Sequence, residues 1–340
     1  MSIPLNPRDL QALRRSLLRW YDTHHRDLPW RRDSDPYRVW VSEIMLQQTR
    51  VVAVLDHYAR WMQEFATVQS LAKAREQSVL ALWSGLGYYH RARRMHQSAK
   101  VIARELNGVF PRTAEAWRKL PGIGRYTAAA IASIAFCERV AVVDGNVERV
   151  LRRVLGPAGN REGNWQRAGA LLDRARPGDF NQAMMELGAT ICTPRAPRCL
   201  LCPVYTWCRS RGAEEPRPQA PRKRKQLHYA LARKHDSVLL VQRSSDAVRM
   251  AGMWELPEAS AAGAAESVLA KFRHSITDTD YAVSVVPASH TLVRTLDGSA
   301  RWFTRTQWRK LPLTGLTCKI LRKLAPESTG PSTESNRRQE

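Results

Sequence analysis

Over residues 8–190 apolar positions recur every three to four residues, the period of helices that bury one face. Arg8 to Tyr21 sets Leu10, Leu13, Leu17 and Leu18 on one side, and the polar, proline-containing run 24–36 ends it. Asp35-Pro36 is a helix start, a capping carboxylate followed by proline at the first helical position, and Tyr37, Trp40, Val41, Ile44 and Met45 carry that helix towards LQQT. Val51–Met62, Leu71–Leu82 and Met95–Leu106 read the same way, the last stopped by Asn107-Gly108. Thr113–Lys119 approaches a tight turn at 120–124, and a small-residue helix follows from Arg125. Asn146–Leu155 and the runs 165–175 and 180–192 complete a region of short helices with no sheet. After a proline-rich basic stretch the period shifts towards two, which predicts strands at His228–Arg233, Val238–Arg243, Tyr281–Val286 and Ala300–Thr304. Ala262–Phe272 and Ile320–Leu324 read as helices, Thr306–Trp308 as a helical turn, and Trp302 and Trp308 as core residues rather than stacking platforms. The expected organisation is multidomain: an all-α domain over 1–210, a linker over 211–226, an α+β domain over 227–325 and a disordered polar tail over 326–340.

Composition narrows the classes. A chain of 340 residues with 44% hydrophobic content is large enough for two cores. No apolar run approaches the ~20 residues of a membrane span, and the N-terminus lacks the apolar centre of a secretory signal. The expectation is therefore a cytoplasmic, nucleoid-associated protein with no membrane partner. A net charge of +23 is either a solvated basic surface or a match for a phosphate backbone, and charge alone does not separate DNA from RNA.

The candidate chemistry starts at Leu120-Pro121-Gly122-Ile123-Gly124-Arg125. Gly122 and Gly124 permit a close-approach turn, Ile123 plugs it, and the amides of the following helix end form an anion site. Asp144 follows that helix, either as a simple cap for the next one or as a carboxylate held against the bound anion. Glu43 lies mid-helix among apolar residues; it either pairs with an arginine or acts as an acid whose pKa burial raises. Trp30 and Arg31 either pack on the first helix or wall a base-sized pocket. Gln48 at the exit of the Glu43 helix either caps it or reaches base edges, and Tyr88 with Tyr89 beside the basic run His90–Arg94 is either core or a wedge-and-phosphate element. Glu186 is a second isolated carboxylate in an apolar run.

Cys192, Cys199, Cys202 and Cys208 form Cys-x6-Cys-x2-Cys-x5-Cys in a loop stiffened by Pro194, Pro197 and Pro203. Four soft donors this close suit a metal centre. Zinc is the generic occupant, but its sites usually pair cysteines across a longer loop, and the uneven spacing favours [4Fe–4S]. Cys137 and Cys318 stand apart and read as small buried hydrophobes.

These pieces together resemble the MutY-type adenine DNA glycosylases of the helix-hairpin-helix superfamily. The matching segments are LPWR at 28–31, VWVSEIMLQQT at 39–49, GLGYYHRARR at 85–94, LPGIGRYTAAA at 120–130, VVDGNVERV at 142–150, NQAMMELGATIC at 181–192 and the cysteine loop. The resemblance implies a monofunctional enzyme that flips adenine out of A:8-oxoguanine and A:G mispairs in double-stranded DNA and hydrolyses its N-glycosidic bond. It implies that Glu43 protonates the base and Asp144 stabilises the sugar cation or adduct, with Tyr126 and Asn146 orienting the carboxylates and water. Tyr126 stands where lyase-competent relatives carry lysine, so no amine is available for a Schiff base. This weakens the runner-up, an endonuclease III-like or mismatch thymine/pyrimidine glycosylase, and the other alternative is a non-enzymatic iron–sulfur DNA-binding protein. Trp30, Arg31, Leu46 and Glu186 would line the adenine pocket, Gln48 and Tyr88 would enter the duplex, and Gly122, Ile123, Gly124 and Arg125 would grip phosphate. The cysteine loop would carry a [4Fe–4S] cluster. The monomer is the expected state, with sliding-clamp or mismatch-repair proteins as candidate partners. GMWELP at 252–257 resembles the Nudix-like domain of this family, without the REXXEE metal box. In the lesion-reading loop, His274-Ser275-Ile276-Thr277-Asp278 has Ile276 for the family's aromatic and Asp278 for its final histidine; Thr277 would meet the lesion purine.

Overall fold

The computed structural model describes residues 4–213, 221–247, 250–260, 268–276, 278–296 and 299–324. The chain divides into two compact units, Met1–Ala74 with Arg91–Gln219, and Arg75–His90 with Ala220–Glu340. The helices run α1 Pro7–His24, α2 Pro36–Leu46, α3 Val51–Glu64, α4 Val68–Lys73, α5 Glu76–Trp83, α6 His90–Arg104, α7 Ala114–Trp117, α8 Arg125–Phe136, α9 Gly145–Leu155, α10 Arg161–Leu171 and α11 Pro177–Thr190. The first unit contains no strand among its described residues. Leu13, Leu17, Leu151 and Leu187 share a core between α1, α9 and α11, and Trp40, Trp61 and Trp117 are fully buried. Thr127 to Ser133 of α8 are all buried, and all but Ile131 are small, which lets α2 and α11 close on it from either side.

The second unit is α+β: β1 Lys223–Leu231, β2 Arg233–Lys234, β3 Ser237–Gln242, β4 Trp254–Glu255, β5 Ala270–Ile276, β6 Thr279–Pro287, α12 His290–Thr295, β7 Ala300–Thr304, α13 Arg305–Trp308 and α14 Gly315–Leu324. One sheet has the order β1-β6-β5, with β1 parallel and β5 antiparallel to β6. The other is β2-β3-β4 with β7 antiparallel to β3. From the helical segments, Ser84 Oγ and Tyr89 OH both donate to the Leu313 carbonyl, at 3.0 and 2.7 Å, so Tyr89 is core.

Four sequence expectations are corrected. Lys223–Gln226 belong to β1 rather than to a linker, because β6 pairs their backbone while their side chains stay exposed. Ala270–Phe272 are strand: Phe272 turns inward and Lys271 and Arg273 outward, a period of two that the preceding alanines obscure, and 261–267 lie outside the described residues. Trp302, expected in the core, is on the outer face of β7 at 39% exposure, while Phe303 beside it packs edge-on against Trp254. Cys137 is exposed, since it ends α8 in a left-handed conformation (φ 56°) that turns it out of the helix. Cys318 and Trp308 are buried as expected.

Candidate active site

Asp35 accepts from the Arg38 amide and Pro36 opens α2, so the helix starts where the sequence says. It is buried from Tyr37 to Met45 apart from Arg38, which forces Glu43 inside at 6% exposure. Its partner comes from α8: Tyr126 donates to Glu43 Oε2 at 2.8 Å, with Met185 Sδ 3.3 Å from the same hydroxyl. Burial pushes the Glu43 carboxyl up to about 7; the Tyr126 hydrogen bond works against this and the negative charge of Asp144 adds to it. The Tyr126 phenol is raised well above its ordinary value, by burial first and by Glu43 and Asp144 next, so it stays a donor.

Asp144 does cap α9. Its Oδ1 accepts from the Val147 amide at 2.7 Å and its Oδ2 from Asn146 Nδ2 at 3.2 Å. Burial raises its carboxyl, opposed by those hydrogen bonds and by the Arg149 charge. Three residues missed by sequence reasoning hold it there. Asn181 of α11 accepts from the Val142 amide and donates to Ser133 Oγ and the Val140 carbonyl, tying down the segment that delivers Asp144. Gly188 lets α11 approach, since a Cβ there would lie 2.7 Å from the Asn146 Cβ. Arg149 bonds Asn146 Oδ1, the Gly188 carbonyl and the Cys192 carbonyl at 2.7–2.8 Å. In sequence these are one basic and two small polar or glycine positions without a local signature.

Glu186 is not isolated. It has no exposed side-chain surface and accepts from Arg26 Nε and Nη2 at 2.6 and 2.8 Å and from Arg31 Nη2 at 2.9 Å. Burial acts to raise its carboxyl, but the two guanidiniums outweigh it and hold it below the usual range. Arg31 also lowers Glu43, so the two carboxylate groups belong to one electrostatic site. Trp30 is buried, edge-on to Tyr58, and Leu46 is half-buried at the last residue of α2. Beyond it Gln48 is exposed with a left-handed backbone (φ 55°), an uncommon conformation for a non-glycine residue. Arg91, which the sequence puts in a phosphate-binding run, is instead buried and donates to the carbonyls of Ile44, Met45 and Gln47, capping the end of α2.

In the turn, Gly122 has φ +78° and a Cβ on it would meet Arg94 Cβ at 2.6 Å, so glycine is required; a Cβ on Gly124 would meet open space. Ile123 is buried as the plug, and Gly124 caps α8 without a side-chain acceptor, leaving first-turn amides for an anion. Arg125 is engaged differently from the expectation: Glu162 pairs with it at 2.5 and 3.1 Å and its guanidinium lies 4.0 Å over Trp165. Tyr88 belongs to the other compact unit and also has a left-handed backbone (φ 49°). Thr277 lies outside the described residues.

Cys192, Cys199, Cys202 and Cys208 line one cavity, walled otherwise mainly by apolar side chains such as Val150, Leu187 and Ile191. Among the described residues no three His, Cys, Asp or Glu side chains form a ready-made single-ion site, and the four sulfurs share the lining of this one cavity. Arg153 Nη1 donates to Cys192 Sγ at 3.3 Å, and a Cβ on Gly212 would come within 3.1 Å of Cys199 Sγ. Burial pushes the Cys202 thiol up to about 11, so a metal's positive charge is needed to hold it as thiolate at neutral pH. This donor set fits an iron–sulfur group.

The all-helical unit carries the glycine hairpin, the buried tyrosine-bound glutamate and the capping aspartate, and residues 41–169 match the family model of the HhH-GPD superfamily base excision DNA repair proteins. The chain is 54% identical over 217 residues to the rat adenine DNA glycosylase, covering 59% of this chain and 42% of that protein. It is 43% identical over 220 residues to the adenine DNA glycosylase of Mycobacterium tuberculosis, covering 63% of this chain and 72% of that protein. The chain belongs to the adenine DNA glycosylase family. Among solved structures it is similar to a thermostable thymine-DNA glycosylase, with TM-score 0.57, 29% identity and coverage of 61% of this chain and 98% of that one. The match to the rat relative spans about two fifths of that protein's length.

Proposed function

We propose that the protein is a monofunctional adenine DNA glycosylase acting on adenine opposite 8-oxoguanine or guanine in double-stranded DNA. The observation that carries this reading is the pairing of Glu43 with Tyr126 beside Asp144. Burial keeps Glu43 protonated to about pH 7, as an acid for the base must be. Burial raises the Asp144 carboxyl, and the hydrogen bonds from Val147 and Asn146 work against it, on the side of the ionised form that a group facing a sugar cation requires. Glu43 would donate its proton to the flipped adenine, and Asp144 would stabilise the sugar while Asn146 holds its carboxylate. Trp30, Arg31, Leu46 and Glu186 would bound the base; the exposed, strained Gln48, and Tyr88 in the other unit, would enter the duplex.

Cys192, Cys199, Cys202 and Cys208 would hold a [4Fe–4S] cluster, whose contribution is to fasten the loop that carries Arg195 and Arg198 so that it is held against DNA. The second unit would be a Nudix-like lesion reader. Lys271, Arg273, His274, Lys319, Arg322 and Lys323 line its open cleft of about 740 Å³, a basic surface suited to the lesion strand. The monomer would act in the cytoplasm at the nucleoid, open to sliding-clamp or mismatch-repair partners.

The test is an incision assay on duplexes carrying adenine opposite 8-oxoguanine, adenine opposite guanine, thymine opposite guanine, and uracil. The expected result is cutting of the adenine duplexes alone, and only after alkali. Incision without alkali, or removal of thymine, would overturn the proposal. Asp144→Asn is the companion variant, because asparagine caps a helix as well as aspartate does. It should melt like the wild type and bind duplex equally, with base release at least about a hundredfold slower; an equal loss of affinity would defeat the catalytic role.

A further inference from the structure

The cavity walled by the four cysteines contains one polar group that the cysteines do not explain. Ser210 Oγ is buried and has no hydrogen-bond partner among the described residues, yet Ser210 lines the same cavity as the four sulfurs. Its position is set by its own backbone: the Ser210 amide donates to the Arg153 carbonyl at 3.0 Å, and Cys208 Sγ lies 3.4 Å from that same carbonyl. Two residues on, Gly212 turns with φ +87° so close that a Cβ would meet Cys199 Sγ at 3.1 Å. The segment 208–212 is thus wrapped against the sulfurs. A buried hydroxyl left unpaired is costly, and the walls around this one are largely apolar or sulfur. Thiolate and sulfide sulfurs are acceptors only, so a hydroxyl facing them must donate.

We infer that the Ser210 hydroxyl donates a hydrogen bond to a sulfur of the metal centre held by the four cysteines, and so makes that centre harder to oxidise. The inference rests on the proposed [4Fe–4S] reading. Arg153 supplies a charged donor at Cys192 Sγ, and Ser210 supplies a neutral one on the Cys208 side. Donors to the sulfurs stabilise the more electron-rich state of such a centre, so each raises its potential. Removing the Ser210 donor lets one electron leave more readily; the serine proton stays on Oγ throughout and no bond to the protein breaks.

The test uses the full chain as purified, with Ser210→Ala, Ser210→Thr and Ser210→Val, the last two matched in volume and differing in the hydroxyl. Iron content and visible absorbance are measured first. The rate of bleaching by ferricyanide, which takes one electron to become ferrocyanide, is measured next. Ser210→Ala and Ser210→Val should bleach about threefold or more faster than the wild type, a factor typical of one lost hydrogen bond, and Ser210→Thr should bleach at nearly the wild-type rate. Equal rates for Thr and Val, or wild-type rates for Ala at full iron content, would overturn the inference. Should Ala fail to retain iron, the Thr and Val pair decides on the same criterion. A wild-type protein that binds zinc or no metal would instead remove the cluster reading itself, and the inference with it.

Discussion

Glu43 titrates near 7 in the folded protein, against 4.5 for an ordinary glutamate. A carboxyl raised on folding is bound to its proton in the folded state over a window where the unfolded chain has lost it. Its stabilising contribution is therefore complete below 4.5 and is lost as pH rises through about 7, a swing of roughly 3 kcal/mol. Glu43→Gln keeps an acceptor for Tyr126 and removes the buried charge. It should abolish base release and yet melt higher than the wild type at pH 8, with the difference shrinking towards pH 4.5. The wild-type single-turnover rate should fall as pH rises through 7, and a rate flat to pH 9 would remove Glu43 as the proton donor. Glu162 offers a second test on one side chain. It pairs with Arg125 at the entry of α8, the end expected to meet phosphate. Glu162→Gln should free the guanidinium and strengthen duplex binding about two- to fivefold at low salt, with the gain fading at high salt.

At the scale of elements, what matters is how helix ends are closed. The end of α2 is stopped by Arg91, whose guanidinium takes three carbonyls and leaves Gln48 outside the helix in a left-handed conformation. The start of α9 is closed by Asp144 itself, so the group proposed for the chemistry is also the helix cap. The start of α8 is closed by no side chain, which keeps its amides available. The two glycines before α8 therefore differ in a measurable way. Gly122→Ala forces a positive φ on alanine and a clash with Arg94, and should cost more than about 2 kcal/mol in denaturant unfolding. Gly124→Ala meets open space and should cost less than about 1 kcal/mol. Equal costs would mean that the turn tolerates a side chain at both positions.

At the scale of the molecule, the two compact units do not follow the order of the chain, because Arg75–His90 goes with the C-terminal residues. A chain ended after Ala213 would strip Ser84 and Tyr89 of the Leu313 carbonyl, a buried acceptor for the Tyr89 hydroxyl. It should melt several degrees below the full chain by calorimetry, and an unchanged melting temperature would show that segment 75–90 needs nothing from the C-terminal residues of its own unit. The sequence by itself determined what depends on neighbours within a turn or two: the Asp35-Pro36 start of α2, the Gly122 hairpin, the helical period through α11 and the cysteine spacing. It also singled out Glu43 and Asp144, since a carboxylate in an apolar helix and one at a helix entry are both local signals. The alternating strand at Ala270–Ile276 was misread because an alanine-rich run precedes it. Only the tertiary structure decided that Glu186 is held by Arg26 and Arg31, 160 and 155 residues away in sequence, and that Asn181 anchors the segment before Asp144. Capping and periodicity are short-range and leave their mark on adjacent residues. The choice of a partner for a buried charge is made by packing, after helices distant in sequence have already been brought together.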